Sequence, residues 1–202
     1  TSVSAILTKR QCQTLEDWRA LEVFILLQSA DDFPVALSGG ATKKLVREQY
    51  LARFSDRSLA RVLVACSAQS PILSDCNAAL LREPRYVQGW LTLLHLYADA
   101  RSWKYVEVGV SKALDHVTAL SLKTGLSWTS VTADLLAFRA LAAAELAATP
   151  AFEATAQADW EKALSLNAKH SRACFDFGRF LLKMGNAVAA IEKLERISTR
   201  TD

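Results

Sequence analysis

The feature that most constrains this chain is a beat of 34 residues. Windows begun at Arg53, Val87, Ala137 and Ser171 place Ala79, Ala113, Ala163 and Ile197 at one shared position. Three places earlier stand Cys76, Val110, Trp160 and Leu194, and Leu80, Leu114 and Leu164 follow the alanines directly. Two windows 34 apart are separated by 16 extra residues, 121–136, from two more windows 34 apart. A period of this length holds a helix, a turn and a second helix, each pair stacking on the next. The spacing predicts an all-α fold: a right-handed superhelical solenoid of antiparallel helix pairs. Four repeats are expected, over 53–86, 87–120, 137–170 and 171–202, behind an N-terminal helical section over 1–52 that is a degenerate repeat or a cap.

Composition agrees with ordered helix. Hydrophobic residues make up 51% of the 202, charged residues 22%, and there are only 4 Pro and 7 Gly. The net charge of +3 is too small to argue by itself for nucleic acid or a membrane surface. No apolar run approaches the ~20 residues that span a bilayer, so no membrane partner is expected. The start, Thr1-Ser2-Val3, has neither an initiator Met nor a signal-peptide pattern, and Thr201-Asp202 ends the last window without a polar capping helix. Both suggest a piece of a longer protein. Cys12, Cys66, Cys76 and Cys174 include no Cys-x-x-Cys pair. They read as buried free thiols of a reducing compartment, the cytoplasm first and the nucleus second.

Along the chain, residues 10–30 read as one amphipathic helix through Leu15, Trp18, Leu21, Phe24, Ile25 and Leu27, ended by Pro34. Ser38-Gly39-Gly40 breaks the chain before a short helix over 43–54. In the first repeat Leu59, Ala60, Leu63 and Val64 form one apolar face, and Pro71 is expected near the start of the second helix. The second repeat carries Trp90, Leu93, Leu94 and Tyr97, then Trp103, Val106, Val110 and Ala113. The extra residues break at Lys123-Thr124-Gly125 and turn helical again from Ser130, so they are expected to lengthen the helices on either side. Alanines 140, 143, 144, 147, 156 and 163 give the third repeat close helix approaches around the bulky Trp160. Gly185 sits where the last inter-helix turn needs positive φ.

These residues resemble the tetratricopeptide repeat (TPR) family. Trp90, Leu93 and Tyr97 match its first-helix pattern, Gly178 its glycine, Ala156, Trp160 and Ala163 its second-helix positions, and Pro84 its closing proline. Val106 and Ile72 depart from it, where the pattern has a small Ala. The resemblance covers about three quarters of the chain and implies a non-catalytic scaffold that binds other subunits or extended peptides on a concave helical face. The carboxylate-clamp branch of the family needs Lys and Asn at inward positions of the first helices. Those positions here hold Arg57, Arg61, Leu91, His95, Leu141, Glu145, Phe175 and Arg179, which argues against chaperone binding. A narrower stretch, from Gly89-Trp90 through Ser111-Lys112-Ala113-Leu114 and the extra residues to Leu135–Leu146, is similar to the superkiller-type TPR scaffolds. That likeness implies a place in exosome-linked cytoplasmic RNA decay.

Sites of chemistry are sparse. His95, His116 and His170 fall in different repeats without His-x-x-x-His spacing, so no metal is expected and the histidines read as exposed or capping. Ser38-Gly39-Gly40 with Thr42-Lys43-Lys44 lacks Walker spacing and reads as a turn. No catalytic order is visible, and neither a cofactor nor a small-molecule substrate is expected. The partner-binding candidates are the basic residues Arg57, Arg61, Arg179 and Lys183 with Leu91, His95, Leu141 and Phe175 on the same faces. Arg172 belongs with them by register. The apolar members favour a peptide over RNA, which stays as the alternative partner. Among five tryptophans, Trp90 and Trp160 fall on core positions. Trp128, in the extra residues, fits no core template and is expected to face a partner.

Overall fold

The computed structural model describes residues 15–33, 39–146 and 149–198, with side chains from Arg19 to Ile197 within those stretches. Ten helices and no strand occur among the described residues, so the fold is all-α. They are α1 (Leu15–Leu27), α2 (Gly40–Phe54), α3 (Ser58–Ser67), α4 (Leu73–Arg82), α5 (Val87–Asp99), α6 (Trp103–Thr124), α7 (Thr129–Leu146), α8 (Pro150–Leu166), α9 (Ser171–Lys183) and α10 (Ala187–Ser198). The expectations for Cys12, for the Trp18 side chain, for Pro34 and Ala147 and for the last residues lie outside the described part.

The chain divides into two compact units. One comprises residues 1–93 and 116–128, the other residues 94–115 and 129–202. In the first, α1 packs on α2, α2 on α3 and α3 on α4. Leu21 and Ile25 of α1, Tyr50 of α2, Leu59 and Leu63 of α3 and Leu80 of α4 are fully buried there. Lys43 Nζ donates to the Gln28 carbonyl at 3.2 Å, satisfying an end carbonyl beyond α1. The face of α3 differs from the sequence expectation. Val62 is buried with Leu59, Ala60, Leu63 and Cys66, while Val64 is 62% exposed. At 3.6 residues per turn Val62 falls with Leu59 and Cys66, and Val64 falls opposite them. Pro71 stands just ahead of the helix, because Ile72 is the extended residue before α4.

In the second unit, α7 packs on α8, α8 on α9 and α9 on α10. Small residues set the spacing: Ala133, Ala137 and Ala140 of α7 and Ala156 and Ala163 of α8 are all fully buried. Trp160 fills the space they leave, stacked on Phe177 at 5.3 Å and tilted against Phe180 at 5.1 Å. Burying an indole of ~150–250 Å² is worth about 4–6 kcal/mol before entropy is counted. Arg139 of α7 grips buried Asp159 of α8 through two hydrogen bonds of 2.7 Å. His170 caps α9, where its Nδ1 accepts the Ala173 amide at 3.0 Å and Nε2 therefore donates to Asp134 Oδ1 at 2.8 Å. Gly178 is where α9 meets α10: an added Cβ would lie 2.8 Å from Leu194 Cγ. Gly185, between the same helices, has φ +79 and supplies the left-handed turn there.

The extra residues enter helix on both sides of a short break. α6 continues to Thr124, Gly125 breaks it with φ +70, and α7 starts at Thr129. At 22 and 18 residues these two helices far exceed the 10 residues of α3 or α4.

Candidate functional site

α9 sorts its residues sharply by face. Ala173, Cys174, Phe177, Gly178, Phe180 and Leu181 are buried. Phe175, Arg179 and Lys183, four residues apart, stand exposed as one stripe. Phe175 keeps 49% of its surface open, and the Arg179 guanidinium lies 5.6 Å from its ring centroid. Beside the stripe is a cavity of about 150 Å³ whose wall includes Leu141, Glu145, Trp160, Asp176, Arg179 and Lys183. Three residues expected from sequence, Leu141, Arg179 and Lys183, thus meet at one place, with Phe175 next to them.

The charges around this cavity are mixed. Asp176 is held at 3.5 Å by Arg172 Nε. Burial pushes its carboxyl above the usual range, and Glu145 adds to the rise, while Arg172 and Arg179 oppose it. Trp160 is completely buried, and its Nε1–H has no hydrogen-bond partner among the described residues. Leaving such a donor unmet costs about 1–3 kcal/mol.

Two other candidates in the second unit pair with each other. Arg172 lies 4.2 Å over the Phe138 ring, and its Nη1 is 3.0 Å from His95 Nδ1. The His95 ring meets Phe138 edge-on at 4.8 Å. Partial burial, and then the Arg172 charge, hold this imidazole below its ordinary pKa. A neutral ring accepting from Arg172 is the state this geometry favours.

The first unit corrects two expectations. Trp128 is only 3% exposed and does not face a partner. Asp32 Oδ2 accepts the Ser127 amide at 2.9 Å and the Asp31 amide donates to the Ser127 carbonyl at 2.8 Å, which holds the neighbouring indole inside. Leu91 is likewise buried, at 8%. α5 buries Leu91 on one face with Val87, Trp90 and Leu94, while Gln88, His95 and Asp99 are exposed. Arg57 and Arg61 are exposed in this same unit: Arg57 precedes α3, and Arg61 lines a separate cavity with Asp75 and Arg82. The basic residues expected to form one lining therefore divide between the two units.

Sequence reasoning missed the polar floor of the cavity. Trp160 read as a packing residue, which it is, but an unmet N–H is invisible in a sequence. Asp176 was not singled out, although its spacing from Arg172 and Arg179, four after the one and three before the other, puts it on their face. Cys66, Cys76 and Cys174 are buried and free, and burial raises each thiol pKa. No cluster of three or more metal-ligating side chains occurs among the described residues. No helix among them is long and apolar enough to cross a membrane. No family model, no curated protein and no solved structure matches the chain, so the likeness to tetratricopeptide repeats rests on the residues quoted for it.

Proposed function

We propose that the chain is a partner-binding helical module, and that the second unit takes an extended segment of another protein along the exposed stripe of α9. The observation that carries this is the conjunction of exposed Phe175, Arg179 and Lys183 with a cavity walled by Leu141, Glu145, Trp160 and Asp176. Phe and Arg at a concave, partly desolvated place are the residue types that dominate binding energy in interfaces. The donors suit a carbonyl or carboxylate of the incoming chain, and the apolar wall suits a side chain beside it. The tetratricopeptide-type solenoid belongs to the same proposal. It is supported by the 34-residue beat, by the neighbour-to-neighbour packing of consecutive helices and by the small residues at their approaches.

The test is capture of partners by the whole chain from nuclease-treated and untreated extract. Phe175→Ala and Arg179→Glu should each release the bound proteins, and nuclease should release none. If nuclease alone strips them, the partner is RNA and the peptide reading is wrong.

A further inference from the structure

We infer that the first unit carries a second docking site, a groove between α1 and the last turns of α6 that accepts an apolar anchor flanked by acidic residues. Val23, Leu26 and Leu27 of α1 form one wall, and Ala119 and Leu120 of α6 form the other. Its volume is about 220 Å³, below the ~300–1,000 Å³ of small-molecule sites and suited to an anchoring side chain. α1 explains why the wall is apolar. Leu21, Phe24 and Ile25 already serve the core, yet the helix places Val23, 53% exposed, on its open side. A helix that buries one apolar face and shows a second to solvent has an unpartnered surface.

Charge selects the occupant. Among the described residues, the ionisable ones on the lining are Arg85, His116 and Lys123, and no carboxylate lines it. Arg85 is already engaged, at 2.7 Å to Glu83 and 3.6 Å to Glu22, and the His116 ring is stacked with Trp90 at 6.1 Å. Lys123 stands exposed on the rim and makes no ion pair among the described residues. It is the cation left for a ligand, in the last turn of α6, which the extra residues lengthen. An amphipathic peptide with carboxylates beside its apolar side chains complements both wall and rim. A basic peptide is disfavoured by the same lysine. This site belongs to the first unit and the α9 stripe to the second, and neither proposal depends on the other.

Selection of phage-displayed random peptides on the whole chain tests it, with Val23→Asp and Lys123→Glu as groove variants and Arg179→Glu as the control. Peptides that lose binding to Val23→Asp should be enriched in Leu or Phe flanked by Asp or Glu. By fluorescence anisotropy Lys123→Glu should weaken them up to about fivefold, and Arg179→Glu should leave them unchanged. Lys123→Glu alters an exposed side chain, so its fold is expected to be intact, and matching circular dichroism checks this. The inference is overturned if no selected peptide depends on Val23, if the dependent ones lack acidic flanks, or if Lys123→Glu binds them as well as the parent. Sedimentation showing that a second copy of the chain covers the Val23 face overturns it too.

Discussion

Gly178 shows how much one missing atom decides. A Cβ there would stand 2.8 Å from Leu194 Cγ and 3.4 Å from the Ala190 carbonyl, so α9 and α10 touch only because it is absent. Gly178→Ala should lower stability by about 1–2 kcal/mol in urea unfolding, since overpacking outweighs the better helix propensity of Ala. This position was legible, because the glycine falls on a repeat register. His95 was not, because its placement depends on Arg172, 77 residues away. Its folded pKa is depressed, by burial first and Arg172 second, against smaller opposing effects of Asp99 and Asp134. The unfolded chain therefore binds the proton more readily. The stability His95 contributes is full above about pH 6.5 and is lost as pH falls from there through its lower folded value. His95→Gln should flatten that part of the stability curve between about pH 7 and pH 5, and an unchanged slope would contradict the assignment.

At the scale of elements, helices were readable because their apolar residues recur every three or four places, and the ends at Gly125 and Gly185 are marked by glycine. Faces were less readable. On α3 an apolar Val64 lies in water, and on α5 nearly every apolar residue is buried, so composition alone could not say which side was free. Trp128 failed for a related reason: no periodic template covers a loop, and its neighbour Ser127 is held by the Asp31 amide and the Asp32 carboxylate, far away in sequence. The clamp between α7 and α8 is a tertiary event of the same kind. Asp159 is buried and accepts both Arg139 bonds at 2.7 Å. Charge-assisted bonds of this geometry stabilise more than neutral ones, and Arg139 is a third exposed, which moderates the loss. Asp159→Ala should cost about 1–2 kcal/mol, read as a lower urea midpoint, and Asp159→Asn should cost less.

For the whole molecule, the all-α class followed from the beat, and the division into two units did not, because the cuts fall inside α5 and α6 where the pattern runs on without a break. The candidate site was legible in part. Phe175, Arg179, Lys183 and Leu141 came from register, while the half-buried Asp176 and the Trp160 wall needed three-dimensional packing. We propose above all that this place in the second unit binds a polypeptide. The most direct measurement is the affinity, by fluorescence anisotropy, of peptides selected on the whole chain, compared between the parent and a Phe175→Ala, Arg179→Glu, Lys183→Glu variant with the same circular dichroism. The leading class of peptides should bind the variant about a hundredfold more weakly, as expected when two or three anchors of about 1–2 kcal/mol are removed. Equal affinity for every selected peptide would contradict it.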